Sequence, residues 1–300
     1  MTLEQLVKKY KPHEVDFVFP KSTGDTRAYI DLYLAYHSPD KRWNAVHALV
    51  YEYLNFHLKE YRSGKLSEED LLLKLHFPEV PYIALGHCVN GINGQGTGEN
   101  RAYIFKDSIF DNEEIKKVGL PALAKMSIAI GGLGPDLLSD MVANFGMNYL
   151  LDYTNEQVKI YDLPTAEFSI SRALDPKTFE WHPIPKVQLP YFKSGEPRIF
   201  VPKHLTRRLP LLTTGGFFDN FLKYVLHEEK QDRLNAHRAM GKAPKVTLEE
   251  IIAEIEKKYS TTGEGARTIA LKKPELVEQY IRNPFKYKKT RKKKDTVNWG

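Results

Sequence analysis

Residues 126–146, Met126-Ser-Ile-Ala-Ile130-Gly131-Gly132-Leu-Gly134-Pro135-Asp136-Leu-Leu-Ser139-Asp140-Met-Val-Ala-Asn144-Phe-Gly146, constrain the fold more than any other stretch. A short β-prone apolar run enters a glycine-dense turn, and the turn opens a helix. Pro135 fits the first helical turn, where its missing N–H costs nothing. Enzymes use a strand, a glycine turn and an acidic helix start to hold phosphate or a metal ion. Other α/β domains use the same layout merely to change direction. On this helix Asp136 and Asp140 stand one turn apart, and Asn144 and Asn148 continue their stripe. Leu138, Met141, Val142 and Phe145 form the opposing apolar face. Two carboxylates so placed can share Mg²⁺ or Mn²⁺ with an acid from elsewhere. The free N–H groups of the helix start could instead hold a phosphate, although Asp136 would repel it unless a metal lay between. In the plainest reading Asp136 complements the helix dipole and the stripe is a solvated face.

The rest of the chain reads as an α/β or α+β fold, a mixed sheet core with a helical C-terminal appendage. Residues 1–78 form a strand-and-helix segment packing on that core. Arg27 to Tyr36 reads as a buried strand, and a capped helix runs from about 40 to 62, ended by Ser63-Gly64. Ser67 starts another helix, with Asp70 three residues on. Residues 79–212 are the mixed core, with strands expected at 81–89, 126–130 and 198–201 and a helix from Pro135 to about 158. Seven prolines between Pro164 and Pro202 punctuate its second half. Residues 216–285 carry helical periodicity over 217–240 and 247–259, and 286–300 are a basic tail.

With 300 residues, 42% hydrophobic and 27% charged, the chain can bury a substantial core. Its single cysteine, Cys88, excludes an internal disulfide. The start lacks the apolar stretch of a signal peptide and no run approaches a membrane span, so the chain reads as cytoplasmic, with no membrane partner. The net charge of +6 belongs to the tail. Lys286, Lys288, Lys289, Arg291, Lys292, Lys293 and Lys294 are basic, and without these seven the chain holds 37 basic against 38 acidic residues. Such a tail either binds polyanions loosely through phosphates, which predicts nucleic acid as a partner, or keeps the protein soluble. Tyr287 offers one stacking ring.

Other candidate sites carry less specific signals. The glycine run 91–98 lacks both the dinucleotide fingerprint and a P-loop lysine. His87 and Cys88 are adjacent on an expected strand and so face opposite ways. Arg42 and His47 have the Arg-x4-His spacing of HEPN-type ribonucleases, with Trp43 standing where those enzymes carry a small polar residue. Asp31 lies within an apolar run, where a buried carboxylate needs a partner. Asp31, Glu167 and Lys203 could complete a nuclease-like set with Asp136 and Asp140: a further acid from Asp31 or Glu167, and a transition-state charge from Lys203.

The segments Leu75-His-Phe-Pro-Glu79-Val80, 91–98, Gly132 to Asp140 and Val201-Pro202-Lys203 resemble uncharacterised prokaryotic proteins of phage-defence or restriction type. The resemblance spans roughly residues 25–210, implies a role linked to nucleic acid, and assigns no catalytic residue. The leading expectation is a metal-dependent phosphodiesterase, a nuclease of antiviral defence, with Asp136 and Asp140 as metal ligands. The alternatives are a non-catalytic assembly subunit that binds a protein through its helical C-terminal region, and a HEPN-like ribonuclease.

Overall fold

Short polar side chains open most of the helices. Thr2, Asp40 and Ser67 each accept a backbone N–H from the first turn of the helix that follows. The structure, a computed structural model, describes residues 1–80, 82–86, 98–121, 123–208, 212–237 and 244–287. In chain order come α1 (Leu3–Lys9), β1 (Tyr29–Ile30), α2 (Leu32–Tyr36), α3 (Lys41–Arg62), α4 (Glu68–Lys74) and α5 (Gly98–Phe105). Then follow α6 (Glu113–Val118), α7 (Leu123–Ala129), α8 (Pro135–Phe145) and α9 (Met147–Tyr161). β2 (Thr165–Leu174) and β3 (Trp181–Pro190) form an antiparallel hairpin, and β4 (Thr206–Arg207) pairs antiparallel with β1. The chain continues through α10 (Thr214–Phe217), α11 (Lys223–Ala236), α12 (Leu248–Tyr259), α13 (Thr262–Lys272) and α14 (Pro274–Arg282). This is an α+β fold with a helical C-terminal region. Among the described residues its sheets are two, each of two strands.

The chain divides into two compact units that cut across the boundaries read from sequence. One joins residues 1–107 to 134–210, so the expected 1–78 segment and most of the expected core are one body. The other takes residues 108–133 and, of the described residues beyond 210, 212–237 and 244–287. Within this second unit Thr214 Oγ1 donates to the Ile128 carbonyl at 2.9 Å and Lys125 pairs with Glu278 at 2.7 Å. Its α12 and α13 pack closely enough that a Cβ on Gly265 would collide with Ile255.

Two aromatic clusters hold the first unit. Tyr53 meets Phe77, Phe145 and Trp181 edge to face, and its hydroxyl donates to the Lys74 carbonyl and accepts from Trp181 Nε1 at 2.8 and 3.0 Å. Phe17 stacks on Phe200 at 4.2 Å within a second cluster that includes Leu3, Leu6 and Tyr153. Thr154, fully buried, ties α9 to this cluster: its hydroxyl accepts the Phe200 N–H at 2.9 Å and donates to the Leu150 carbonyl at 2.7 Å.

Several expected elements take another form. The apolar run 126–130 lies in and just after helix α7; a short uniformly apolar run fits a buried helix as well as a strand, and the period does not separate them. Of the strand expected over 27–36 only Tyr29–Ile30 remains, because the Asp31 carboxylate accepts the N–H groups of Tyr33 and Leu34 and turns the chain into α2. Residues 198–201 are buried and irregular rather than a strand, with the N–H groups of Arg198, Ile199 and Phe200 bonding to Pro190, Tyr82 and Thr154 in separate parts of the chain. In the expected strand 81–89, residues 82–86 hold a turn and one bridge from Leu85 to Thr26, and 81 and 87–89 lie outside the described residues. The helix expected from Pro135 to 158 breaks at Gly146, where a Cβ would stand 2.8 Å from the Trp43 ring.

Candidate functional site

Helix α8 starts as its sequence dictates, with Gly134 at the cap, Pro135 in the first turn, and Gly132 at φ +79° in the turn before it. It is not, however, a surface helix with one solvated stripe. Every residue from Leu137 to Phe145 is buried, including Asp140 and Asn144. The Ser139 hydroxyl accepts the Ile30 N–H at 3.0 Å, and Asn144 donates to the carbonyls of Pro78 and Asp140 at 2.7 and 2.8 Å. The solvated-face reading therefore fails for Asp140 and Asn144, and Asp136 alone of the three stays half-exposed.

Arg101 on α5 joins the two aspartates. Its Nη1 donates to Asp140 Oδ2, and its Nη2 lies 3.4 Å from Asp136 Oδ2. Two further carboxyls share the same field. Glu79, exposed at its surface, is held above the ordinary glutamate range by desolvation and by the charges of Asp25 and Asp136. Asp25 and Asp136 flank Gly86, whose φ of +150° favours glycine and whose added Cβ would lie 3.5 Å from Asp25 Oδ2 and 3.9 Å from Asp136 Oδ1. Burial first, and then the charge of Asp136, pushes Asp140 from 3.8 up to about 7, although Arg101 pulls the other way. A carboxyl that titrates at neutral pH thus lies beside a half-exposed carboxylate and a guanidinium, a combination suited to proton transfer or cation exchange. Among the described residues no group of three or more His, Cys, Asp or Glu side chains forms a ready-made metal site. Asp136 and Asp140 supply two donors, and Arg101 now occupies both.

The other residues singled out from sequence have different occupations. Asp31 caps α2 and lies 3.7 Å from Arg207 Nε, which answers its need for a partner without a catalytic role. Glu167 is exposed on β2 and pairs with Lys186 of β3 at 3.4 Å. The Lys203 ammonium is hydrogen-bonded to the carbonyls of Pro12 and Val15, which directs it into the chain and away from a bound phosphate. Arg42 is clamped between Asp40 at 2.8 Å and Glu156 at 2.7 Å. Trp43 is buried, and burial depresses His47 from 6.5 to about 4, leaving it neutral with an unpartnered Nε2. That pair lacks the free charge the HEPN-like chemistry needs. The glycine run, apart from Gly98 at the start of α5, lies outside the described residues, as do His87, Cys88 and the tail from Lys288 to Lys294. At the start of the tail, Tyr287 stacks on Tyr224 with ring centres 5.0 Å apart and donates to Glu228 at 2.7 Å, so its ring already has a partner. Sequence reasoning missed Arg101, Asp25 and the role of Glu79; a lone arginine after a glycine run carries no spacing signal.

These residues fall inside a recognised domain. The family described as "Domain of unknown function (DUF8370)" matches residues 7–214. The chain belongs to the DUF8370 family. The matched region contains Asp25, Glu79, Arg101, Asp136 and Asp140, and it excludes most of the C-terminal helices. No curated protein and no solved structure matches the chain.

No helix among the described residues is long and apolar enough to cross a membrane.

Proposed function

We propose that this DUF8370 protein acts on nucleic acid as a metal-dependent phosphodiesterase centred on Asp136 and Asp140. The observation that carries the reading is Asp140, a buried carboxyl raised to about 7 beside Asp136 and Glu79. Such a cluster holds more negative charge than Arg101 balances, and Mg²⁺ or Mn²⁺ would relieve it more fully than one guanidinium. A metal ion there would need Arg101 to leave both aspartates, and Glu79 or Asp25, whose charges bear on the same site, would complete the donor set. Asp136 and Asp140 would hold the ion, whose chemistry when bound would be Lewis acidity for phosphodiester cleavage, and Arg101, freed from them, would pair with the phosphate. The tail, with Lys286, Lys288, Lys289, Arg291, Lys292, Lys293 and Lys294, adds affinity for the polyanion. A setting in prokaryotic antiviral defence and a cytoplasmic location rest on the sequence alone.

One observation favours the second reading, a non-catalytic assembly subunit: Arg101 already satisfies both aspartates, as a static structural ion pair would. Calorimetry with Mn²⁺ on wild type, Asp136→Ala, Asp140→Ala and Arg101→Ala separates the two. A metal centre predicts that each aspartate variant loses binding and that Arg101→Ala retains or tightens it, because a competing cation has gone. Absence of Mn²⁺ binding in wild type and Arg101→Ala alike would overturn the phosphodiesterase and leave the subunit.

A further inference from the structure

A cleft of about 200 Å³ opens beside Glu79 of the acidic cluster, between residues 78–80 with Tyr82, the end of α8 and strand β2. Its polar lining is Glu79, Tyr82, Asn144, Ser169, Ser171 and Arg172. Four successive residues of one strand, 169 to 172, line it. A regular strand would turn alternate side chains away, but the β2–β3 register shifts between Phe168 and Ile170 and again between Ile170 and Ala173. Such irregularities re-aim side chains and are frequent beside active sites.

Arg172 is the unusual member. Its Nη1 donates to the His76 carbonyl at 2.6 Å, and its guanidinium lies 4.0 Å from the centre of a Trp181 ring. Its Nε is buried without a hydrogen-bond partner, and no carboxylate pairs with the group among the described residues. A partly buried guanidinium without a counter-ion is costly unless an anion arrives to meet it. Glu79 lines the same cleft, yet no ion pair joins it to Arg172. Asn144 commits its N–H groups to two carbonyls, so the side-chain atom it has left is an acceptor. The cleft therefore offers an unpaired cation with two exposed serine hydroxyls at one strand, and acceptors at Glu79 and Asn144.

We propose that this cleft binds the sugar-phosphate part of a nucleotide, the phosphate on Arg172 with Ser169 and Ser171, the sugar hydroxyls on Glu79 and Asn144. The volume is below the roughly 300–1,000 Å³ typical of drug-sized ligands, which suits a phosphate and a pentose with the base left outside. A planar guanidinium whose Nη2 has no acceptor among the described residues gives phosphate oxygens a charge-assisted bond, and a carboxyl and an amide oxygen accept from sugar hydroxyls. Joined to the reading above, the cleft is the substrate subsite beside Asp136 and Asp140, and Arg172 takes the part that sequence gave to Lys203. The binding itself needs no metal.

The test is calorimetry in the presence of a chelator, with AMP, ribose 5-phosphate, adenosine and inorganic phosphate as probes. AMP and ribose 5-phosphate should bind alike, each at least about tenfold tighter than adenosine or inorganic phosphate. Arg172→Gln should reduce AMP to the level of adenosine, and Glu79→Ala should reduce ribose 5-phosphate to the level of inorganic phosphate. If Arg172→Gln does not fold, the double variant Ser169→Ala/Ser171→Ala, on exposed strand positions, should still weaken AMP and leave adenosine unchanged. Equal binding of AMP and adenosine by wild type, inorganic phosphate as tight as ribose 5-phosphate, or variants that bind AMP like wild type would each overturn the proposal. Intact AMP binding without any Mn²⁺ binding would remove the metal reading alone.

Discussion

Asp140→Asn should make the protein more stable at alkaline pH. The side chain is buried, and its carboxyl is raised from 3.8 to about 7, chiefly by burial and by the charge of Asp136. A carboxyl whose folded value exceeds its unfolded one binds its proton more tightly in the native state. Its stabilising contribution is complete below 3.8 and is lost as the pH rises through about 7. The full displacement from 3.8 to about 7 sets a ceiling of roughly 4 kcal/mol on that loss. Local relaxation and water entry reduce it, so a gain of about 1–2 kcal/mol is expected for the variant at about pH 8. Asparagine has nearly the same shape and keeps a side-chain oxygen for Arg101, so little packing is lost. Urea unfolding at about pH 8 and about pH 4 measures the difference. Trp43 and Trp181 lie in the same unit as Asp140 and provide a fluorescence signal. The advantage should shrink toward the acid end. A variant equally or less stable than wild type at the alkaline end, or a difference that does not change with pH, would refute the account of Asp140 as an ionised group held against its own desolvation. A stabilised variant without activity would fit a residue retained for function at the expense of stability.

Four further outcomes follow from individual contacts. His57 is buried with neither ring nitrogen hydrogen-bonded and is depressed from 6.5 to about 4, so wild type should lose stability as the pH falls through that window; His57→Phe should flatten this acid limb in pH-dependent melts. Thr154→Val leaves the Phe200 N–H without its acceptor and should cost about 1–3 kcal/mol in denaturant unfolding. Gly146→Ala places a methyl group 2.8 Å from Trp43 and 3.0 Å from the Val142 carbonyl, which should destabilise by about 1–3 kcal/mol and lower the thermal midpoint. Deleting residues 286–300 should weaken nucleic-acid binding for every sequence tested and flatten its salt dependence, measured by titration at two ionic strengths.

Local chemistry was legible in the sequence wherever a decision rested on neighbours a few residues apart. The helix from Lys41 to Arg62, the Ser67 cap, Pro135 in the first turn of α8 and the Asp136–Asp140 pair all follow from side chains that act within one helical turn. The overall class was legible only as α/β or α+β, and the two small two-stranded sheets of the folded chain decide for α+β. What failed locally failed for a reason: Asp31 could serve an apolar strand or cap a helix, and 126–130 could pack as either element, because both choices bury the same side chains.

Burial and company belong to the tertiary structure. The stripe Asp136–Asp140–Asn144 looks identical in sequence whether water or protein covers it, and only the packing of α8 raises Asp140 to about 7. Arg101 stands 35 residues from Asp136 along the chain, Arg172 on the irregular strand β2 keeps a buried Nε without a partner, and Lys203 is drawn away by carbonyls near the N-terminus. None of these is encoded at short range, because a charged side chain's role depends on which distant groups share its low-dielectric surroundings. The sequence determined which charges were present; the fold decided which of them would meet.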